Sequence, residues 1–272
     1  RMFCVFEGVF MSQFLTLTTD FGIVDGYVGA MKGVIYDIAP AIQVVDITHQ
    51  VPSQDIAAGA FAMCSACRFF PEGTVHIGVV DPGVGSERRE IVVETTRFIF
   101  VGPDNGLFSP FYETEQIQRI VAIENPDFMR SEVSATFHGR DIFAPVGAHL
   151  LQDVLCEVIG QEIVDPVKLD LWSVVERPDG LVGRVVNIDH FGNAVTMISR
   201  SQILDAFGDG QVQIVVGENH FEQICHTYTG VETGHALVLY GSLDTLEISI
   251  NGGSAAKVHG IKRGDEVRVL KL

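Results

Sequence analysis

The chain has 272 residues, enough for one large domain or two modest ones. Hydrophobic residues make up 47% and charged residues 19%, which supports a sizeable core and excludes a disordered chain. Thirty-five acidic residues against 18 basic ones give a net charge of -17, which argues against a DNA or RNA partner and is compatible with a cationic small-molecule ligand.

The start, "RMFCVFEGVF", is apolar but short, and Glu7 interrupts it. No small-residue cleavage site follows, so it does not read as a signal peptide. Met11 precedes the first good strand and reads as the natural start, with residues 1–10 an upstream extension or an expression remnant. No run of about 18 apolar residues marks a transmembrane helix.

"FLTLTT" and "IQVVDIT" read as strands, with "DGYVGAMKGVIYDIAP" between them a helix ended by Pro40. "SQDIAAGAFAMCSACRFF" reads as a second helix, N-capped by Ser53 and followed by Pro71. "TVHIGVV", "IVVETT", "FIFVG" and "IQRIVAI" are strands, and "GRDIFAPVGAHLLQDVLCEVIG" reads as one long helix closing at Gly160. Apolar strands alternating with helices predict a largely parallel sheet flanked by helices, over residues 11–165. A proline-bounded linker at 166–179 follows. From 180 to 272 the chain reads as short strands: "LVGRVVNID", "AVTMIS", "QVQIVVG", "ALVLYGS", "TLEISING" and "DEVRVLKL". "SRSQILDAF" supplies one or two helical turns among them. The expected fold is therefore α/β followed by a smaller C-terminal antiparallel β-barrel.

The five cysteines, Cys4, Cys64, Cys67, Cys156 and Cys225, are an odd, scattered set without a disulfide pattern. "CSAC" lies inside a helix-like apolar stretch and has no second pair, so it reads as buried structural thiols in a reducing cytoplasm.

In open parallel sheets, ligands bind outside the carboxyl ends of the strands. Asp20 follows the first strand, Asp81 the third, and Asp104 and Asn105 a later one, while His138, Arg140 and Asp141 stand at the entrance of the last long helix. Asp20 suits two vicinal hydroxyls, and equally a turn or cap. Asp25 suits an ammonium or the helix dipole. "GVGSER" lacks the third glycine of a dinucleotide fingerprint and runs into a strand, which removes the phosphate-cradle reading. Gly83 and Gly85 instead permit a sharp path that aims Asp81 and Arg88 at a common point. Gly139 beside His138 leaves room for a small ligand. In the second half, Asp189 and Asn193 bracket a turn. Asn193 suits an adenine edge or simply the turn itself, and Ser242 and the Gly252–Gly253 backbone are further polar candidates.

The stretches "TLTTDFGIVDGYVGAMKG", "VVDITHQVPSQDI", "FFPEGTVHIGVVDPGVGSERR", "VGPDNGLFSP", "TFHGRDIFAPVGAHL", "IDHFGNAVTMI" and "INGGSAA" together resemble the SAM hydroxide adenosyltransferase family, relatives of the fluorinase and chlorinase enzymes. The resemblance runs from about Met11 to Leu272. It implies an α/β N-terminal domain, a β-barrel C-terminal domain, and a homotrimer binding S-adenosylmethionine between subunits. By that resemblance Asp20 holds the ribose hydroxyls, and Asp25 and Asp189 hold the methionine amino group. Asn105 belongs to the substrate-binding set, Asn193 and the backbone near Gly252 read adenine, and Ser242 takes the methionine carboxylate. Ile250 stands where one related enzyme has an arginine, a departure at the methionine end.

The halogenases carry tyrosines at the positions matching Asp81 and His138, whereas the hydroxide-using family carries an Asp–Arg–His triad that Asp81, Arg88 and His138 match. Gly139 stands where the fluorinase has a serine, although the chlorinase also has glycine there. An anionic Asp81 repels a halide and accepts a hydrogen bond from water. The expectation is hydrolysis of S-adenosylmethionine to adenosine and L-methionine, with no metal or redox cofactor. A chloride-dependent halogenase and a non-catalytic sensor are the alternatives.

Overall fold

The computed structural model describes residues 13–272. Cys4, Met11 and the apolar start lie outside the described residues. The chain divides into two compact units, one ending at Leu169 and one spanning Asp170–Leu272.

The first unit runs β1 (Phe14–Thr19), α1 (Tyr27–Ile38), β2 (Gln43–Thr48), α2 (Ile56–Ala66), β3 (Val75–Val79), β4 (Glu90–Thr95), β5 (Ile99–Pro103), a single turn α3 (Phe111–Thr114), β6 (Ile117–Ala122) and α4 (Ala144–Leu150). The six strands form one sheet in the order β2-β1-β3-β5-β4-β6. β1 pairs parallel with β2 and β3, and β3 with β5, while β4 lies antiparallel between β5 and β6. The reversal at β4 follows from its short link to β5. Only a hairpin fits so few residues, because a parallel pair needs a long crossover. Thr95 tightens that hairpin, its hydroxyl accepting the Phe98 N–H at 2.9 Å.

β1 and β3 are buried on both faces, with Thr16, Thr18, Thr19 and His76 buried alongside their apolar residues. Leu15, Leu17 and Ile77 share one core with Met31 and Ile35 of α1 and Val146 and Ala148 of α4. Each of these buried Leu, Ile, Met and Val side chains contributes about 1.5–3 kcal/mol relative to exposure. Elsewhere in the core is an aromatic group in which the His76 ring stacks on Phe100 at 5.3 Å. His76 Nδ1 and the Thr16 hydroxyl share a hydrogen bond of 2.7 Å. Burial pushes the His76 pKa down to about 3, so the ring is neutral at pH 7.

Two helix readings are corrected. α2 is capped by Asp55, whose carboxylate accepts the Ala58 N–H at 3.0 Å, and not by Ser53. Gln54, at φ 63°, is left-handed and cannot belong to a first helical turn. The long helix to Gly160 is a π-helical turn at Gly139–Phe143, then α4, then a 3₁₀ turn at Cys156–Val158. Asp153, at φ 62°, interrupts the helical path. Gly160 serves close backbone passage, since a Cβ there would lie 1.9 Å from the Ala122 carbonyl oxygen.

The second unit contains β7 (Val175–Arg177), β8 (Gly180–Ile188), β9 (Ala194–Ser199), α5 (Arg200–Phe207), β10 (Val212–Val216), β11 (Asn219–Phe221), β12 (Ile224–Cys225), β13 (Ala236–Tyr240), β14 (Thr245–Ile250), α6 (Ala255–His259) and β15 (Glu266–Lys271). The strand order is β11-β10-β15-β8-β9-β14-β13-β12, with β7 also on β8. β8 turns the corner: residues 180–184 pair with β15, and Val185–Ile188 pair with β9. Side chains from both halves, among them Val269, Ile214, Ile198 and Ile248, therefore share one core, and the sheet is nearly barrel-shaped. The pairing is antiparallel except between β12 and β13. α5 fills two turns behind a capping box at Ser199 and Gln202. No helix among the described residues is long and apolar enough to cross a membrane.

Candidate active site

The carboxyl ends of β1, β3 and β5 open onto one edge of the parallel sheet. Asp20, Asp81 and Asn105 leave the chain there. After β3 the backbone turns twice, Val84 N–H donating to the Asp81 carbonyl at 3.2 Å and Ser86 N–H to the Gly83 carbonyl at 3.0 Å. Gly85 takes φ 75°, and a Cβ there would stand 2.3 Å from the Ala135 carbonyl oxygen. Only glycine permits both the left-handed turn and that approach. The approach draws the Asp81 loop onto the segment leading into His138, which enters the π-helical turn. Gly83 is tight against Arg88 but takes no left-handed conformation, so Gly85 alone carries the bend.

The structure brings Asp81, Arg88 and His138 together. Arg88 Nε donates to both Asp81 carboxylate oxygens at 3.0 Å, and Nη2 donates to Oδ2 at 2.5 Å. Nη2 also lies 2.9 Å from His138 Nδ1. The Asp81 and Arg88 side chains are only 4% and 9% exposed, so the pair is shielded from solvent screening. Burial works against the Arg88 charge, but hydrogen bonds and attraction from Asp81 and Glu90 outweigh it and hold the guanidinium above its ordinary pKa.

Glu90 is the residue that sequence reasoning missed. Its Oε1 accepts from Arg88 Nη1 at 2.5 Å and lies 3.0 Å from His138 Nδ1. The signal was the spacing: Arg88 and Glu90 are two apart in an extended segment, so both point to one face. Arg89, between them, points the other way. It pairs with Asp104 at 2.7 Å and with Asp165 at 2.7 Å. Asp104 is thereby a structural anchor, its other oxygen accepting the Val167 N–H at 2.7 Å. Asp141 is likewise structural, fully buried against Arg140 Nε at 2.6 Å and the Ser134 N–H at 3.0 Å.

Of the remaining candidates in this unit, Asp20 accepts the Gln54 N–H through Oδ2 at 2.8 Å, so the strained Gln54 fixes one carboxylate oxygen. Asp25 is exposed, just before Gly26, the N-cap of α1. Asn105 spends its amide within the unit, Nδ2 donating to the Val80 carbonyl at 2.8 Å and Oδ1 accepting from Leu107 N–H at 3.2 Å. It therefore ties the β5 loop to the residue preceding Asp81. The space beside Gly139 is occupied: a Cβ there would meet Phe21 at 3.2 Å and Met31 at 3.3 Å.

In the second unit Asp189 and Asn193 clamp one turn, Asn193 N–H donating to Oδ1 at 2.8 Å and Nδ2 to Oδ2 at 2.9 Å. One Asn193 amide hydrogen is thus committed to Asp189, and the residue is buried in the turn. Gly192, between them, takes φ 87°, and a Cβ there would meet Ser254 Oγ at 1.9 Å. Ser242 and Gly252 are exposed, Gly252 at φ 74° just past β14.

A guanidinium-clamped Asp81 beside a histidine, at the strand ends of an α/β unit that is followed by a nearly barrel-shaped β unit, defines a two-unit α/β protein with a buried polar cluster. The chain belongs to the SAM hydroxide adenosyltransferase family: residues 15–160 match its N-terminal domain and residues 183–268 its C-terminal domain. It is 36% identical over 261 residues to an (R)-S-adenosyl-L-methionine hydrolase of Salinispora tropica, covering 95% of this chain and 98% of the relative. A Thermus thermophilus protein of the same name is 36% identical over 259 residues, covering 93% and 97%. A fluorinase of Nocardia brasiliensis is more distant, at 27% identity over 292 residues, covering 94% and 96%. The crystal structure of an uncharacterized conserved protein from Thermotoga maritima superposes with a TM-score of 0.88 at 36% identity, covering 94% of this chain and 99% of that one.

Proposed function

We propose that this protein hydrolyses S-adenosyl-L-methionine to adenosine and L-methionine by attack of water on the ribose C5′ carbon. The observation that carries this is the buried Asp81–Arg88 pair in contact with His138. As the water oxygen bonds to C5′, the C5′–S bond breaks, its electron pair stays on sulfur, and methionine leaves as a neutral thioether. One proton is released from the water, so the reaction balances without an oxidant, a reductant or a metal. The sulfonium is already a good leaving group, and the protein's main task is to align water, C5′ and sulfur.

On this reading Asp81 accepts a hydrogen bond from the water, Arg88 holds Asp81, and His138 takes the proton. A positioned base of this kind contributes about 10²–10⁴-fold. Asp20 presents its remaining oxygen to the ribose hydroxyls, and Asp25 and Asp189 attract the methionine ammonium. Asn193 and the Gly252 backbone meet adenine, and Ser242 meets the methionine carboxylate. Asn105 acts on substrate through the loop it braces. The protein works as a homotrimer with sites between subunits. A cytoplasmic setting is supported by the free thiols of Cys64, Cys67, Cys156 and Cys225. The name of the hydrolase relatives specifies the R form, so the R sulfonium epimer is the substrate form to supply first.

Incubation in ¹⁸O-water tests the reaction. The expected product is adenosine labelled at the 5′-hydroxyl. Chlorodeoxyadenosine without labelled adenosine would assign the site to chloride, and tight binding without turnover would make the protein a sensor.

A further inference from the structure

We infer that Glu90 is a positioning residue that selects the proton-accepting form of His138. This rests on the proposed hydrolysis and names a residue within it.

His138 Nδ1 is approached by two groups with opposite demands. Arg88 Nη2, a donor, is 2.9 Å away, and Glu90 Oε1, an acceptor, is 3.0 Å away. A neutral imidazole offers at Nδ1 either a lone pair or an N–H, never both. If the lone pair faces Arg88, the proton sits on Nε2, and His138 cannot accept another there. If the N–H faces Glu90, Nε2 carries the lone pair and is ready for the proton of water. Because both contacts fall on Nδ1, the choice of tautomer decides whether the ring is a base or a spectator at its other nitrogen.

Geometry favours the Glu90 form. In that form Arg88 Nη2 faces an N–H at 2.9 Å and must shift off it, which costs little because Arg88 already has three donations to Asp81 and one to Glu90. A Glu90 carboxylate 3.0 Å from a lone pair would, by contrast, be repelled. When the water oxygen bonds to C5′ and its proton reaches Nε2, the imidazolium forms with its Nδ1–H already held by an anion. A carboxylate behind a histidine acts this way in other acid–base sites. Arg88 binds Glu90 at the same time, which fixes the carboxylate toward the ring rather than toward solvent.

The test uses the full-length protein with ¹⁵N-labelled histidine. In the wild type the His138 nitrogens should show a protonated Nδ1 and an unprotonated Nε2. In Glu90→Gln the carbonyl-for-carboxylate change weakens the Nδ1–H acceptor, Arg88 takes the lone pair, and the pattern should move toward the Nε2–H tautomer. The kcat for S-adenosylmethionine should fall about 10–100-fold with KM changed less than threefold. Glu90→Asp, which keeps the charge one methylene shorter, should recover part of both signals. An unchanged tautomer pattern in Glu90→Gln, or a loss carried by KM alone, overturns the assignment. The nitrogen signature is read without turnover, so it stands or falls separately from the reaction. Wild-type protein with the expected tautomer but no hydrolysis would sink the proposed reaction and leave the Glu90 contact intact.

Discussion

Without its carboxylate, Asp81 could not hold Arg88, and the guanidinium would be left to Glu90. In Asp81→Asn the amide keeps the shape and gives up the charge that Arg88 clamps through three donations. We expect kcat to fall at least about 100-fold. Breaking a buried pair costs about 3–5 kcal/mol when nothing compensates, and the surviving Glu90 contact should bring that to the low end or below. Urea unfolding and steady-state kinetics on the same preparation separate the two effects. Asp104 is also an aspartate just past a strand end, yet it serves only as an anchor for Arg89. Sequence placed both at the site, because strand ends are legible. Which of two acids turns inward depends on the alternation of Arg88 and Arg89, and that register was not visible until the start of β4 was fixed.

The loop between β3 and β4 is the element on which the site depends. Gly85→Ala forces a left-handed residue, at a backbone cost of about 1–2 kcal/mol, and drives a methyl into the Ala135 carbonyl. Stability should fall by at least that amount, and activity should fall with it, because Arg88 and His138 are carried by the two segments pushed apart. Gly33→Ala is the control. That glycine is exposed within α1 with nothing inside 4 Å of a Cβ, so alanine should add about 0.5–1 kcal/mol and leave kcat alone. The strands and α1 were readable because their apolar periods differ, and α2 because its apolar run is too long for a strand. The last helix of the α/β unit was over-read because Leu150, Leu151, Cys156 and Ile159 all reach the core whether or not the backbone between them is helical. Nothing in that apolar pattern marks the left-handed Asp153. The short strands β7, β11 and β12 escaped notice because two or three residues carry no period.

At the scale of the molecule, stability should depend on pH through buried histidine. His76 has its pKa pushed down to about 3 by burial, while in the unfolded chain it titrates near about 6.5. Between those values the unfolded state binds a proton that the folded state refuses, so stability is lost as pH falls below about 6.5. At pH 5 the loss from this one ring is about 2 kcal/mol. Burial lowers His149 as well, with the same sign. Asp141 acts at lower pH: burial opposes its charge, but Arg140 and Ser134 outweigh it, so its contribution survives until pH drops through its lowered value. Urea melts at pH 7 and pH 5 should show the difference. A His76 ring that titrates near pH 6.5 in the folded protein by proton NMR would remove its cause.

Arg88 and Arg89 are neighbours in the chain yet hold different partners. One clamps Asp81, and the other fastens Asp104 and Asp165. Their division of labour depends on parity, since a step of one residue exchanges the two faces of an extended chain. The β4 ladder holds that parity in place, the Arg89 carbonyl accepting the Asp104 N–H at 2.9 Å. One residue inserted between Arg89 and Glu90 would hand the tether to the active site and the clamp to the tether, a frameshift in space without any change of reading frame.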